Sequence, residues 1–458
     1  MKTDNQTISN NTKKLISFLV NLKYEDIQPE VIERTKLLFL DWLGSCVAGS
    51  NSRQVKILKN FSVKMGSDNG ISEVPPGGET SSAFFASFIN AASSHVVEMD
   101  DLYSEAAIHL GTVVIPAALA TAQEHGVSGK ELITALVVGY EAAARVGEFL
   151  GRSHYEVFHT TGTAGTFGSA AAVSHLLHAD FNEMTNSFGS AGTQAAGLWE
   201  FLRNAADSKQ LHTAKAASNG LLAAYLSHDG FKGAQNILEG AQGLAAGTST
   251  DSNPEKLSSE LGQKWAVMNT SLKYHASCGH THPSADALSK AMRDNNISPD
   301  DIKSIKVHVY RGAIDVLGPV KNPQTVHQSK FCMPFVLSLI AIRGHAFLED
   351  FNEDTLFDEN IRKFMPKIEM VFDENIDKNY PSQWNGLVEI QLINGKMLSS
   401  FIESPKGYPD NFLSEEEIRS KFIELMKYGG YSDLRELNKI IDKVKHMDNL
   451  NKIEKFLS

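Results

Sequence analysis

Cysteine is scarce in this chain. Its 458 residues hold only Cys46, Cys278 and Cys332, too few and too scattered for a disulfide framework, which fits a reducing cytoplasm. No uninterrupted apolar run approaches the roughly 20 residues of a membrane-spanning helix, and mean hydropathy is −0.20. The opening Met1-Lys2-Thr3-Asp4-Asn5 shows neither an apolar stretch nor a cleavage site, so no secretory signal is visible. Basic tracts are also missing. Lys and Arg total 43 against 54 Asp and Glu, a net charge of −11, which argues against nucleic acid and anionic membranes as partners but leaves room for a local cationic pocket. There is no Walker A loop, no G-x-S-x-G elbow and no G-x-G-x-x-G following a strand. Gly162, Gly165 and Gly168 recur every third residue but lead into a helix-forming Ala run, which disfavours a dinucleotide site.

The length suits two domains with a large buried core. Most of the first part reads as helix. Pro29 is placed to open one, and Ile32, Phe39, Leu40, Leu43 and Val47 form its apolar stripe before Gly49. Ser128 to Glu131 is a capping box, with Val127 and Leu132 spaced for a hydrophobic staple, and its helix runs towards Gly147 and Gly151. From Thr160 to Gly247 the chain is rich in Ala, Gly and Ser with Phe, Leu and Val interspersed, as a tightly packed bundle requires. After about residue 265 the pattern changes. Ser304–Tyr310 alternates as a strand, Ile368–Phe372 is another strand candidate, and Met333–Arg343 is an apolar helix. Leu387–Ile393, Asn394-Gly395 and Lys396–Ile402 spell a hairpin with a type I′ turn. Helix then resumes at Ser414–Glu417, again a capping box. The expected fold is mainly α: a helical domain (1–268), an inserted α/β lid (269–404) and a helical return (405–458).

Three histidines share a setting. His109 precedes Leu110-Gly-Thr-Val, His159 precedes Thr160-Thr-Gly-Thr, and His282 precedes Pro283. Each is expected at a helix N-terminus, where free N–H groups and the dipole favour anions. Converging, such ends would hold carboxylates and offer imidazole for proton transfer; singly, each is an ordinary surface or capping residue. His95, Glu98, Asp100 and Asp101 form the densest acidic segment, suited to orienting a histidine or capping a helix. Lys209 and His212 share a helix face, though a lone pair of this kind is usually solvated. Cys278, His280 and His282 would fall on one side of an extended segment and could ligate zinc, but no second ligand pair accompanies them.

Taken in order, these segments resemble the MmgE/PrpD family. Asn90 to Asp101 with the following His109 is similar to the family's N-G-x-x-x-H-x-L-D-F-D-D segment and its histidine. Gly139–Arg145, His159-Thr-Thr-Gly-Thr-Ala-Gly165, Lys209 to Gly233 and Lys273–Asp286 match further segments, and Gln328–Phe335 matches more weakly. The resemblance implies a homodimer with its site between helical domain and lid, acting on di- or tricarboxylates without metal or organic cofactor. The implied activities are lyases (2-methylcitrate dehydration, cis-aconitate decarboxylation) or iminodisuccinate epimerisation. Residue by residue, it implies catalytic roles for His109, His159, Lys209 and His282, with Asp100 and Asp101 beside them, and substrate contacts from His95, Glu98, Lys273 and His280. Two positions depart: Glu98 stands where the decarboxylase has Asp, and Leu102 where it has Thr. Loss of that hydroxyl favours a hydro-lyase over a decarboxylase. A dicarboxylate epimerase, a non-catalytic binding relative and a zinc protein are the rival readings. The expected site is a cationic island in an acidic molecule.

Overall fold

A computed structural model describes residues 8–66, 69–203 and 206–457, so the opening residues read for a signal lie outside it. Pro29 stands in the first turn of the Pro29–Gly49 helix, where its missing N–H costs nothing. Ser128 and Glu131 close their capping box reciprocally and start the Gly129–Val157 helix. Gly151 bends that helix without ending it: at φ 74° it leaves helical geometry, and Asp251 accepts from Arg152 N and Ser153 N just beyond. The small-residue tract becomes the Thr160–Leu176 and Ser208–His228 helices, packed against Gly129–Val157 and Gly111–His125. Their closeness requires glycine, since a Cβ on Gly168 would stand 2.7 Å from Ala143 Cβ and one on Gly220 2.4 Å from Ser169 Cβ.

The lid carries a four-stranded sheet in the order Ile368–Phe372, Ile302–Val309, Gly386–Leu392, Met397–Ile402, the first pair parallel and the others antiparallel. The parallel pair needs a crossover, which contains Met333–Arg343, and that helix packs beside His282–Asn295. The hairpin is present, but its turn is not type I′. Gly395 N donates to Leu392 O, Leu392 N donates to Lys396 O, and of the two turn residues only Gly395 has positive φ. The loop is therefore three residues long, a type I turn closed by a left-handed glycine. Beyond the lid, Ser414 and Glu417 cap the Glu415–Tyr428 helix, which packs on Pro29–Gly49. Phe422, Met447 and Phe456 share one core with Leu15, Phe39 and Leu136. Among the described residues no helix is long and apolar enough to cross a membrane.

Candidate active site

The site is built around one turn. The Ala83–Val96 helix delivers His95 in its last turn, and the chain then reverses through Glu98 at φ 58°, a left-handed conformation uncommon outside glycine. Lysines hold the carbonyls on either side: Lys330 Nζ donates to Val97 O (2.5 Å) and Lys421 Nζ to Met99 O (2.8 Å). This points the Glu98 carboxylate between two more lysines, paired with Lys209 Nζ and, at 2.9 Å, with Lys273 Nζ. Burial alone would raise the Glu98 carboxyl, but Lys209 and Lys273 hold it well below the usual range.

Asp100 faces the histidines. Its Oδ2 lies 2.7 Å from His95 Nδ1 and 3.1 Å from His109 Nδ1, and Lys273 Nζ stands 3.7 Å from Oδ1. Burial opposes ionisation of Asp100, yet His109, His95 and Lys273 keep its carboxyl well below the ordinary range. An ionised carboxylate only accepts, so His95 Nδ1 carries the proton and its Nε2, buried and without a hydrogen-bond partner, presents a lone pair. His109 Nδ1 likewise donates to the Asp101 carbonyl at 2.7 Å, and His109 is more accessible than His95. His159 stacks on His95 (5.8 Å, 21°), its Nε2 also unpartnered, while its Nδ1 meets His212 Nδ1 at 3.3 Å. Burial, aided by neighbouring positive charge, lowers His159 well below its ordinary value and His212 to about 4. His95, lowered chiefly by burial, falls to about 4 despite Asp100.

The three helix starts are as expected. His109 lies two residues before Gly111–His125, His159 caps Thr160–Leu176, and His282 begins His282–Asn295. His109 and His159 converge. His282 stands apart, edge-on to His275 (5.2 Å), and makes no hydrogen bond to the histidine cluster among the described residues. Asp101 also turns away: its carboxylate accepts from Tyr140 Oη (2.6 Å) and Gly111 N (3.0 Å), which pins a helix start. His280 belongs to an aromatic wall. Its Nδ1 meets Tyr310 Oη (2.8 Å), its Nε2 meets Tyr155 Oη (3.2 Å), and its ring stacks on Trp384.

Beyond that wall lies a cleft of about 940 Å³ between body and lid, lined by Ala107, Tyr155, Trp199, Arg311 and Tyr380 among others. Trp199 packs on His159 at 4.7 Å, so Trp199 and Tyr155 separate cleft from cluster. The expected cationic island needs correction. Lys209 and Lys273 are set against the Glu98 and Asp100 carboxylates, and burial disfavours charge on His95 and His159. Most of the nest's charge is therefore paired, because burying an ion without a partner is costly.

Among the described residues, His95, Asp100 and His109 alone bring three ligand atoms within 4.8 Å and could hold a metal ion. Their Nδ1–Oδ2 separations are hydrogen-bond distances, and an ion bound through Nδ1 would have to displace both protons. The zinc arrangement drawn for Cys278, His280 and His282 does not form. Gly279–Thr281 is a 3-10 turn, not an extended segment, and both His280 nitrogens are engaged by tyrosines.

His212, Tyr155, Trp199, Lys330 and Lys421 join the site without having been singled out as site residues. His212 had a local signal, one turn from Lys209. Tyr155 lies four residues before His159 and Lys330 falls within the weakly matching Gln328–Phe335 segment, while Trp199 and Lys421 arrive from distant segments.

Helices with one small four-stranded sheet make this a mainly α protein, and its buried nest of histidine, lysine and carboxylate suits acid–base chemistry. The chain belongs to the MmgE/PrpD family: residues 13–257 match the MmgE/PrpD N-terminal domain and residues 275–447 the C-terminal domain. It is 27% identical over 458 residues to the cis-aconitate decarboxylase-like protein oryM of Aspergillus oryzae, covering 92% of each chain. It is 26% identical to a cis-aconitate decarboxylase of Aspergillus terreus (99% of this chain, 96% of the relative) and 25% to that of Homo sapiens (96% and 92%).

Proposed function

We propose that the protein is a lyase that removes a carboxylate from a tricarboxylate of the cis-aconitate kind by His/Lys acid–base chemistry. Family membership and the names of its relatives support lyase chemistry as a class. The observation that carries the mechanism is the trio His95, His109 and His159, packed ring against ring beside the Glu98–Lys209–Lys273 nest. Loss of CO2 leaves an electron pair on carbon next to a remaining carboxylate. That charge needs nearby N–H donors, and the carbon then needs a proton from a positioned acid, whose hold on a proton rises beside the substrate's negative charge. His159 suits the proton transfer, because its Nε2 is uncommitted whichever way the His159–His212 hydrogen bond runs. His109, oriented by Asp100 and the Asp101 carbonyl, is its partner in acid–base roles. His282 and Asp101 act at one remove in this scheme.

The second reading is a hydro-lyase, favoured by Leu102. This side chain is buried in a short strand paired with Thr270–Ser271, and it leaves a methyl surface where a hydroxyl would help hold a carboxylate. An epimerase needs only proton removal and return by the same histidines. Incubation with cis-aconitate, 2-methylcitrate and iminodisuccinate in deuterated water, followed by NMR, separates the three. Decarboxylation gives a deuterated dicarboxylate, dehydration an alkene, and epimerisation solvent exchange without net product. His159→Gln should lower kcat by about 10²- to 10⁴-fold with an unchanged circular dichroism spectrum; unchanged turnover would sink the assignment. The assembly we propose is a homodimer, supported by exposed Ile57, Phe61, Val63 and Met65 on and beside the Arg53–Lys64 helix, and sedimentation velocity tests it.

A further inference from the structure

Lys209 and Lys273 reach the nest already paired with carboxylates, both with Glu98 and Lys273 also near Asp100, which accepts hydrogen bonds from two histidines. Lys330 is different. It comes from the lid, between the Val326–Ser329 and Met333–Arg343 helices, and its own carbonyl accepts from Cys278 N at 2.9 Å, which ties it to the segment that carries His280. The side chain is buried and crosses to the body, where Nζ donates to Val97 O at 2.5 Å and lies 5.2 Å from the centre of the Phe351 ring. Among the described residues that carbonyl is its one hydrogen-bond partner, and no carboxylate pairs with it. An ammonium has three protons to donate, so two remain. Three lysines, Lys209, Lys273 and Lys330, thus face two ionised carboxylates, Glu98 and Asp100, and one positive charge is left over. The other buried acids do not cancel it: Asp41 is paired with Lys421, and Asp101 is turned to Tyr140.

We propose that Lys330 is the carboxylate-binding cation of the site, the group that the substrate's negative charge completes. The inference rests on the polycarboxylate reading above. It also makes that binding depend on pH. Burial lowers Lys330 to about 7, with Glu98 and Asp100 opposing the shift, Lys273 and Lys209 reinforcing it, and His327 also within its field. Above that value the free protein loses the unpaired charge, so an anion binds less well. Arginine at this position would stay charged throughout.

The test is calorimetric binding of tricarballylate, an unreactive saturated tricarboxylate, to wild type, Lys330→Gln and Lys330→Arg. Glutamine can still donate to Val97 O, which separates charge from local folding, and circular dichroism checks all three. At about pH 6, K330Q should bind roughly 10- to 100-fold more weakly than wild type, the worth of a charge-assisted hydrogen bond. By about pH 9 that gap should narrow while K330R keeps its affinity relative to both. Equal binding by K330Q and wild type at about pH 6, or a pH response of K330R identical to wild type, overturns the Lys330 assignment and leaves the polycarboxylate reading standing. Failure of the wild type to bind either tricarballylate or citrate overturns the polycarboxylate reading itself, and the role of Lys330 with it.

Discussion

Asp100 and Asp101 are adjacent carboxylates held in opposite states. Asp100 accepts from two imidazoles and stays ionised, whereas Asp101, buried beside Asp100 and Asp41, is raised from 3.8 to about 7 despite hydrogen bonds from Tyr140 and Gly111. A carboxyl whose folded value is raised binds more protons folded than unfolded between those two values, so its contribution to stability is present at low pH and lost as pH rises through 7. The ceiling on that change is about 4 kcal/mol for roughly three units. Asp101→Asn removes the titration and keeps the shape. The melting temperature of wild type should fall more steeply than that of D101N between about pH 5 and 8, and parallel curves would show that Asp101 does not titrate there. Local pattern made part of this readable: the acidic run beside His95 announced a carboxylate that orients histidine, and Asp100 does so. Which of the neighbouring acids would face the histidines depended on a left-handed turn at Glu98, and no glycine or asparagine in the sequence marks it.

Elements were legible where their ends carry their own chemistry. Capping boxes at Ser128 and Ser414, Pro29 in a first turn, and histidines at helix starts are local signals, and each stands where its residues put it. The hairpin was legible in position but not in turn type, because Asn-Gly fits both a two-residue loop and the three-residue loop adopted here. Helix-to-helix contact is less visible in one dimension. Gly168 is a small residue among many, yet a Cβ there would stand only 2.8 Å from Gly139 O on the neighbouring helix, and a Cβ on Gly139 would stand 2.9 Å from Gly168 O. Gly168→Ala should therefore destabilise the protein by about 1–3 kcal/mol, although alanine has the better helix propensity. Because that helix begins at His159, turnover should fall along with the melting temperature. A stabilised G168A would show that the two helices can part without strain.

At the scale of the whole molecule, the returning C-terminal segment holds the turn through Glu98 from behind. Lys421, on Glu415–Tyr428, pairs with Asp41 of Pro29–Gly49 at 2.6 Å and donates to Met99 O, one residue before Asp100. The lid reaches the same turn from the other side through Lys330 and Val97 O. Body, lid and return thus meet at five residues, and this explains why none of the three contacts could be read locally: each joins segments more than 200 residues apart. Lys421→Met leaves Asp41 buried without its cation, a loss of about 3–5 kcal/mol. Adding Asp41→Asn removes the stranded charge and should restore much of that stability. It cannot restore the bond to Met99 O, so the double variant should recover its melting temperature while kcat stays depressed. Chemical denaturation alongside steady-state kinetics separates the two effects. Recovery of kcat with stability would reduce Lys421 to a packing residue; depressed kcat in a stable double variant would establish that the C-terminal return orients Asp100.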